Sequence, residues 1–203
     1  MLYNAHDIAK LVNRWGMLPF FAGEVEGFSI EENISPDYWF PSEGEGVWEW
    51  KNEVMLDGDC AYGKFYRGKA CFVSMEWYPD LVNLRRSLCS PTADELLLLQ
   101  TVEAHGALLS PELKKLCGYT APRRKRAANA VERAALHDAP KPEAARKGFD
   151  TAIARLQMGG RLLTAGFEYN YDRQGRRYGW SIARYCTPED YFGKERLITG
   201  RSP

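Results

Sequence analysis

Arg173, Arg176 and Arg177 fall within five residues of one another, beside Tyr178. Guanidinium groups at that density suit phosphate oxygens, which they grip through paired N–H bonds, and narrow, negatively charged minor grooves. The intervening Asp172-Arg-Gln-Gly175 is turn chemistry, so the cluster is expected at a hairpin tip. A solvated turn without a partner is the plainer alternative. Thr151 and Arg155 form a second set. With Phe149, Ala152, Ile153 and Leu156 as an inward apolar stripe, Thr151, Ala154, Arg155 and Met158 turn outward on a helix. Small residues beside an arginine allow close approach to a major groove, where arginine pairs with guanine or phosphate. Packing of that face against the rest of the chain is the competing reading. A third set, Arg123, Arg124, Lys125 and Arg126 with Arg133 behind it, fits either sequence-independent phosphate binding or a solvated helix face.

A different chemistry is open to Trp48, Glu49, Trp50, Glu76 and Trp77. Indoles facing a cavity can stack on an extruded base while a carboxylate acts as general base. Read as a strand, however, Trp48 and Trp50 lie on one face, which core packing explains more simply. Glycine-rich phosphate loops and Ser/His/Asp nucleophile signatures are lacking. The five cysteines (Cys60, Cys71, Cys89, Cys117, Cys186) are odd in number and widely spaced, and His6, His105 and His137 are isolated. No metal, no cofactor and no assigned catalytic residue is therefore expected, and the thiols fit a reducing cytoplasm.

These groups must be positioned by elements legible in the pattern. Ala5, Ile8, Ala9, Val12 and Trp15 recur at helical spacing behind Asn4, and Gly16 ends that helix. Residues 20–46 read as acidic loops. Val47 to Trp77 reads as strands, with a hairpin turn at Arg67-Gly68-Lys69 and a break at Pro79. Residues 87–92 are the expected boundary between a region 1–90 and a region 91–203. The second region opens with Thr92-Ala-Asp-Glu95, a capping box ahead of a first helix. Ser110-Pro111-Glu112 opens a second helix that Gly118 stops. The third helix ends at Gly159-Gly160, and strands follow at about 161–171 and 177–185. Between the second and third helices lies a basic, alanine-rich insert at about 120–146, long for a helix–helix connection.

The resulting expectation is α+β: a winged helix-turn-helix C-terminal part, and a smaller mixed N-terminal part containing an antiparallel hairpin. Charge divides the same way. Residues 1–60 carry 3 Lys/Arg against 12 Asp/Glu, whereas residues 121–203 carry 17 against 9. Such asymmetry points either to nucleic-acid contact by the basic half or to neutralisation across an internal interface. Apolar runs of membrane-spanning length and signal-like leaders are lacking, so a cytoplasmic location without membrane contact is expected.

Several stretches together resemble a family. Gly16-Met-Leu-Pro-Phe-Phe, Trp48-Glu-Trp-Lys, Cys60-Ala-Tyr-Gly-Lys-Phe, Glu76-Trp, Lys147-Gly-Phe-Asp-Thr-Ala-Ile-Ala-Arg-Leu-Gln-Met and Tyr178-Gly-Trp-Ser-Ile-Ala are similar to the small bacterial AlkZ-related proteins. Those are distant relatives of the AlkZ/YcaQ winged-helix DNA glycosylases, which remove alkylated or crosslinked bases. The resemblance implies a winged-helix protein acting near DNA. The Gln-x-Gln motif of the glycosylases has no counterpart, since Gln100, Gln157 and Gln174 are the only glutamines. The leading expectation is thus a non-catalytic double-stranded DNA binder whose acidic half stabilises it or recruits a protein partner. The alternatives are a glycosylase-like enzyme acting on a flipped base, and a protein-interaction module.

Overall fold

The computed structural model describes residues 1–56, 60–121 and 144–198. Arg123, Arg124, Lys125, Arg126 and Arg133, the core of the basic insert, lie outside the described residues. The class is mixed α+β, with two three-stranded antiparallel sheets.

Helix α1 (Ala5–Trp15) is capped by the Asn4 side chain and buries Ala5, Ile8 and Val12, the stripe its spacing demands. Strand β1 (Met17–Pro19) follows, and helix α2 (Ile30–Asn33) interrupts the segment expected to be loops. Strands β2 (Cys60–Tyr66) and β3 (Lys69–Ser74) form the expected hairpin, and β1 pairs with the far edge of β3.

The expected strand beginning at Val47 is instead helix α3 (Val47–Leu56). Its buried positions are Val47, Trp50, Lys51, Val54 and Met55, a helical period that outweighs the β preference of a Trp-x-Trp run. Two residues apart on a helix is about 200°. Trp50 accordingly enters the core against Tyr38, and Trp48 faces elsewhere. Pro79 likewise starts an element: it occupies the first turn of helix α4 (Tyr78–Leu88), where a missing N–H costs nothing.

Helix α5 (Ala93–His105) begins with the expected capping box at Thr92 and Glu95. Strand β4 (Ala107–Leu109) leads into helix α6 (Ser110–Leu116), whose N-cap is Leu109 and not Ser110; the Glu112 carboxylate accepts from the Leu109 N–H at 2.9 Å. Helix α7 (Phe149–Met158) precedes strands β5 (Leu163–Tyr171) and β6 (Arg177–Cys186), and helix α8 (Pro188–Phe192) follows. The second sheet has the order β4-β6-β5.

Three apolar clusters fill the interior. One gathers α1, α3 and the first sheet, another gathers α5, α6 and α7. The third joins Ala61, Phe65, Val73 and Val82 to Leu163, Cys186 and Phe192, so both regions contribute to it.

Candidate nucleic-acid interface

Helix α7 is held from within by Phe149, Ala152, Ile153, Leu156 and Gln157, all buried. Thr151, Arg155 and Met158 stay exposed, as the helical wheel requires, and Lys147, before the helix begins, is exposed as well. The last carbonyls of a helix have no partner inside it. Here α4 supplies donors: Arg85 reaches the Met158 carbonyl at 3.0 Å, and Arg86 reaches the Gly160 carbonyl at 2.9 Å. Positive charge at a helix C-terminus is also favoured by the dipole. The carboxyl end of α7 is therefore pinned to the N-terminal region.

Arg155 is not a free cation. Its Nε forms an ion pair with Glu95 Oε1 at 2.9 Å, while Glu95 Oε2 accepts the Thr92 N–H at 2.8 Å. One carboxylate thus closes the α5 cap and tethers the outward arginine of α7. Asp150, exposed on the same helix, lies 3.6 Å from Lys114.

At the hairpin, Asp172 builds the turn. Its Oδ1 accepts from the Gln174 and Arg176 N–H groups at 2.8 and 2.9 Å, and its Oδ2 accepts from Arg176 Nε at 2.9 Å. The Arg176 and Gln174 amides hold this carboxyl below its usual range against the opposing effect of desolvation. The three tip arginines are not equivalent. Arg173 is exposed and makes no hydrogen bond or ion pair to a described residue. Arg176 belongs to the turn. Arg177 folds back over the Tyr169 ring at 3.2 Å and pairs with Glu49 of α3 at 3.0 Å. Tyr178 stands exposed.

That Glu49–Arg177 contact borders a cavity of about 500 Å³ between α3, the 39–44 loop and the β5–β6 hairpin. Trp39, Phe40, Trp48, Tyr169 and Trp180 line it. The Trp48 and Trp180 rings meet edge-on at 6.4 Å, and Trp39 meets Trp48 at 5.5 Å. Behind this wall is Lys51, 3% exposed, its ammonium 3.5 Å from the Phe167 ring centre and 5.2 Å from that of Trp48. Burial pushes this amine down to about 8, with Glu49 drawing it up and Arg177 pushing it further down.

A family model described as AlkZ related matches residues 2–202. The chain belongs to the AlkZ-related family. Searches of curated proteins and of solved structures found no match.

Of the five residues grouped as a pocket in this AlkZ-related chain, Trp48 and Glu49 line the aromatic cavity and Trp50 is in the core. Glu76 and Trp77 sit in the turn before α4, where the Trp77 indole covers Gly16. The structure therefore gathers only two of them. It adds Trp39, Phe40, Tyr169 and Trp180, none of which the sequence pattern marked. Their signal was available only after α3 was read as a helix, which places Trp48 at the edge of the core, between Phe20 and Trp180 of β6. A second cavity of about 330 Å³ at the end of α7 is lined by Arg67, Arg85, Arg155 and Arg161. Among the described residues no cluster of His, Cys, Asp or Glu could hold a metal, and no helix is long and apolar enough to cross a membrane.

Gln157 is a structural residue. It is buried, accepting the Lys64 N–H at 2.7 Å and donating to the Thr164 hydroxyl at 3.2 Å.

Proposed function

We propose that this chain is a winged-helix protein that binds double-stranded DNA and has no chemistry of its own. The observation that carries the reading is the succession α5, β4, α6, α7, β5, β6 with sheet order β4-β6-β5. That succession matches a helix-turn-helix followed by a wing, in which the third helix and the hairpin face the duplex. Membership of a family named for AlkZ supports a role near DNA repair.

In this reading Thr151 and Arg155 approach the major groove, while Arg173 and Arg176 hold phosphate or the minor groove at the wing. Tyr178, next to them in the chain, stands exposed. Arg177 has a different duty. Tied to Glu49 and stacked on Tyr169, it fixes the tip end of the wing against the acidic N-terminal region. The 123–126 run, where it reaches the duplex, adds phosphate contacts that carry no sequence information.

The test is fluorescence anisotropy on a labelled duplex from 50 to 200 mM salt, comparing wild type with Arg155→Ala and Arg173→Ala. Each substitution is expected to weaken binding and to reduce the slope of log K against log salt by about 1 for each phosphate no longer neutralised. No duplex binding at low salt, or unchanged affinity in an Arg155/Arg173/Arg176 triple alanine variant, would overturn the reading in favour of a protein-interaction module.

A further inference from the structure

The aromatic cavity beside the tip of the β5–β6 hairpin has no part in the duplex reading above. Its opening is marked by two large rings left in solvent, Trp180 at 76% exposure and Phe40 at 72%. Trp180 is there because β6 is distorted. Glu168 pairs with Ile182 and Asn170 with Tyr178, so two steps along β5 face four along β6. The register shift takes in Gly179, whose φ of 73° would strain a residue bearing a side chain. Bulges of this kind re-aim side chains and recur beside binding sites. A regular strand would have kept register and placed residue 180 differently.

The size and lining fit a small planar ligand, since pockets for small molecules run from about 300 to 1,000 Å³ and are mostly apolar with a few polar groups. The polar groups here are the Glu49 carboxylate, the Ser181 hydroxyl and Arg177.

An aromatic enclosure with one carboxylate also fits a methylated ammonium, and electrostatics decide between the two. Glu49 is already paired with Arg177, and Lys51 sits directly behind the Trp48 ring. Two cations against one anion repel a cationic guest. They favour a neutral ring attached to phosphate.

We propose that this cavity receives one unstacked nucleobase, which stacks on the exposed Trp180 ring beside the continuous wall of Trp39 and Trp48 while Arg177 faces its phosphate. The source favoured is a base displaced from a strand held by the hairpin, because Arg177 and Trp180 are both on β6; this rests on the duplex-binding reading above. Because every base presents a π face, the site tolerates sequence and selects for the unpaired state.

The experiment compares three probes: a fully paired duplex, the same duplex with a single-nucleotide bulge, and a free deoxynucleoside monophosphate as competitor. Each is measured by anisotropy with wild type and with Trp180→Ala, a substitution at an exposed position that folding should tolerate. Wild type should bind the bulged duplex on the order of tenfold more tightly than the paired one, the usual worth of one base–aromatic stack. Trp180→Ala should erase that preference and leave paired-duplex affinity unchanged. Equal affinity for both duplexes, or a preference that survives in Trp180→Ala, overturns the proposal. Trp180-dependent binding of the mononucleotide without any duplex binding would keep the cavity as a nucleobase site and sink the duplex reading alone.

Discussion

Among single residues, Lys51 has the largest consequence. Its amine is buried against Phe167 and Trp48, and burial lowers it from an ordinary 10.5 to about 8. Below pH 8 both folded and unfolded chains carry the proton, and the folded chain bears the full penalty of a buried charge. Between about 8 and 10.5 the unfolded chain binds more protons than the folded one, so this group makes stability rise with pH. Above that range the penalty is gone. Lys51→Met keeps the stem and removes the charge. It should stabilise the protein by about 3 kcal/mol at pH 7, the equivalent of the shift, and by little at pH 11. Denaturant titrations of both proteins across this range test it, and a difference independent of pH refutes it. Taking the difference matters because buried thiols oppose the trend, with burial raising Cys71 to about 12 and Cys186 to about 11. The same burial predicts that a thiol reagent labels Cys89 quickly in the folded protein, and all five cysteines only after unfolding.

The capping box of α5 shows how an element can govern a residue of the proposed interface. Thr92→Ala removes the side-chain acceptor of the cap and should cost about 1 kcal/mol in denaturant unfolding. Glu95→Gln keeps an oxygen for the Thr92 N–H yet releases Arg155 from its carboxylate. Glu95 is buried but the Arg155 side chain is more than half exposed, so water weakens the tether and duplex affinity should rise only roughly two- to fivefold; a fall would show that Arg155 binds DNA in its tethered geometry. This box was legible in Thr92-Ala-Asp-Glu95 because capping is local chemistry. The stripe of α7 and the Asp172 turn were legible for the same reason. Helix α3 was not, since its Trp-x-Trp run favours a strand until the burial of Val47, Trp50, Val54 and Met55 is counted together. The aromatic cavity depended on that reading and on the bulge at Gly179, which pairing register alone reveals. The partners of Arg155 and Arg177 were equally hidden, because Glu95 and Glu49 lie 60 and 128 positions away in the chain.

The molecule as a whole is organised by what crosses position 90. The two sheets fall on either side of it, but the apolar cluster of Ala61, Phe65 and Val82 with Leu163, Cys186 and Phe192 spans it. Polar ties cross it too: Arg85 to Met158, Arg86 to Gly160 and, as a side-chain pair, to Glu189, Gln157 to Lys64, and the Tyr191 hydroxyl to the Met55 carbonyl. Gly160 shows how close the regions lie. A Cβ there would sit 3.0 Å from the Val82 backbone, at a positive φ that side chains resist. Regions sharing a core cannot lose one side without exposing the other, so unfolding should be a single transition. The chain offers a clean check, because five of its six tryptophans precede residue 90 and only Trp180 follows it. Tryptophan fluorescence therefore reports mainly the first region, whereas far-UV circular dichroism reports both. The two urea curves should coincide, and Gln157→Ala should shift both together by about 1–3 kcal/mol, since it strips the buried Lys64 N–H of its acceptor. Two separated transitions, or a Gln157→Ala shift seen by one probe alone, would mean that the chain after position 90 folds independently of the part before it, to which Arg177 is tied through Glu49.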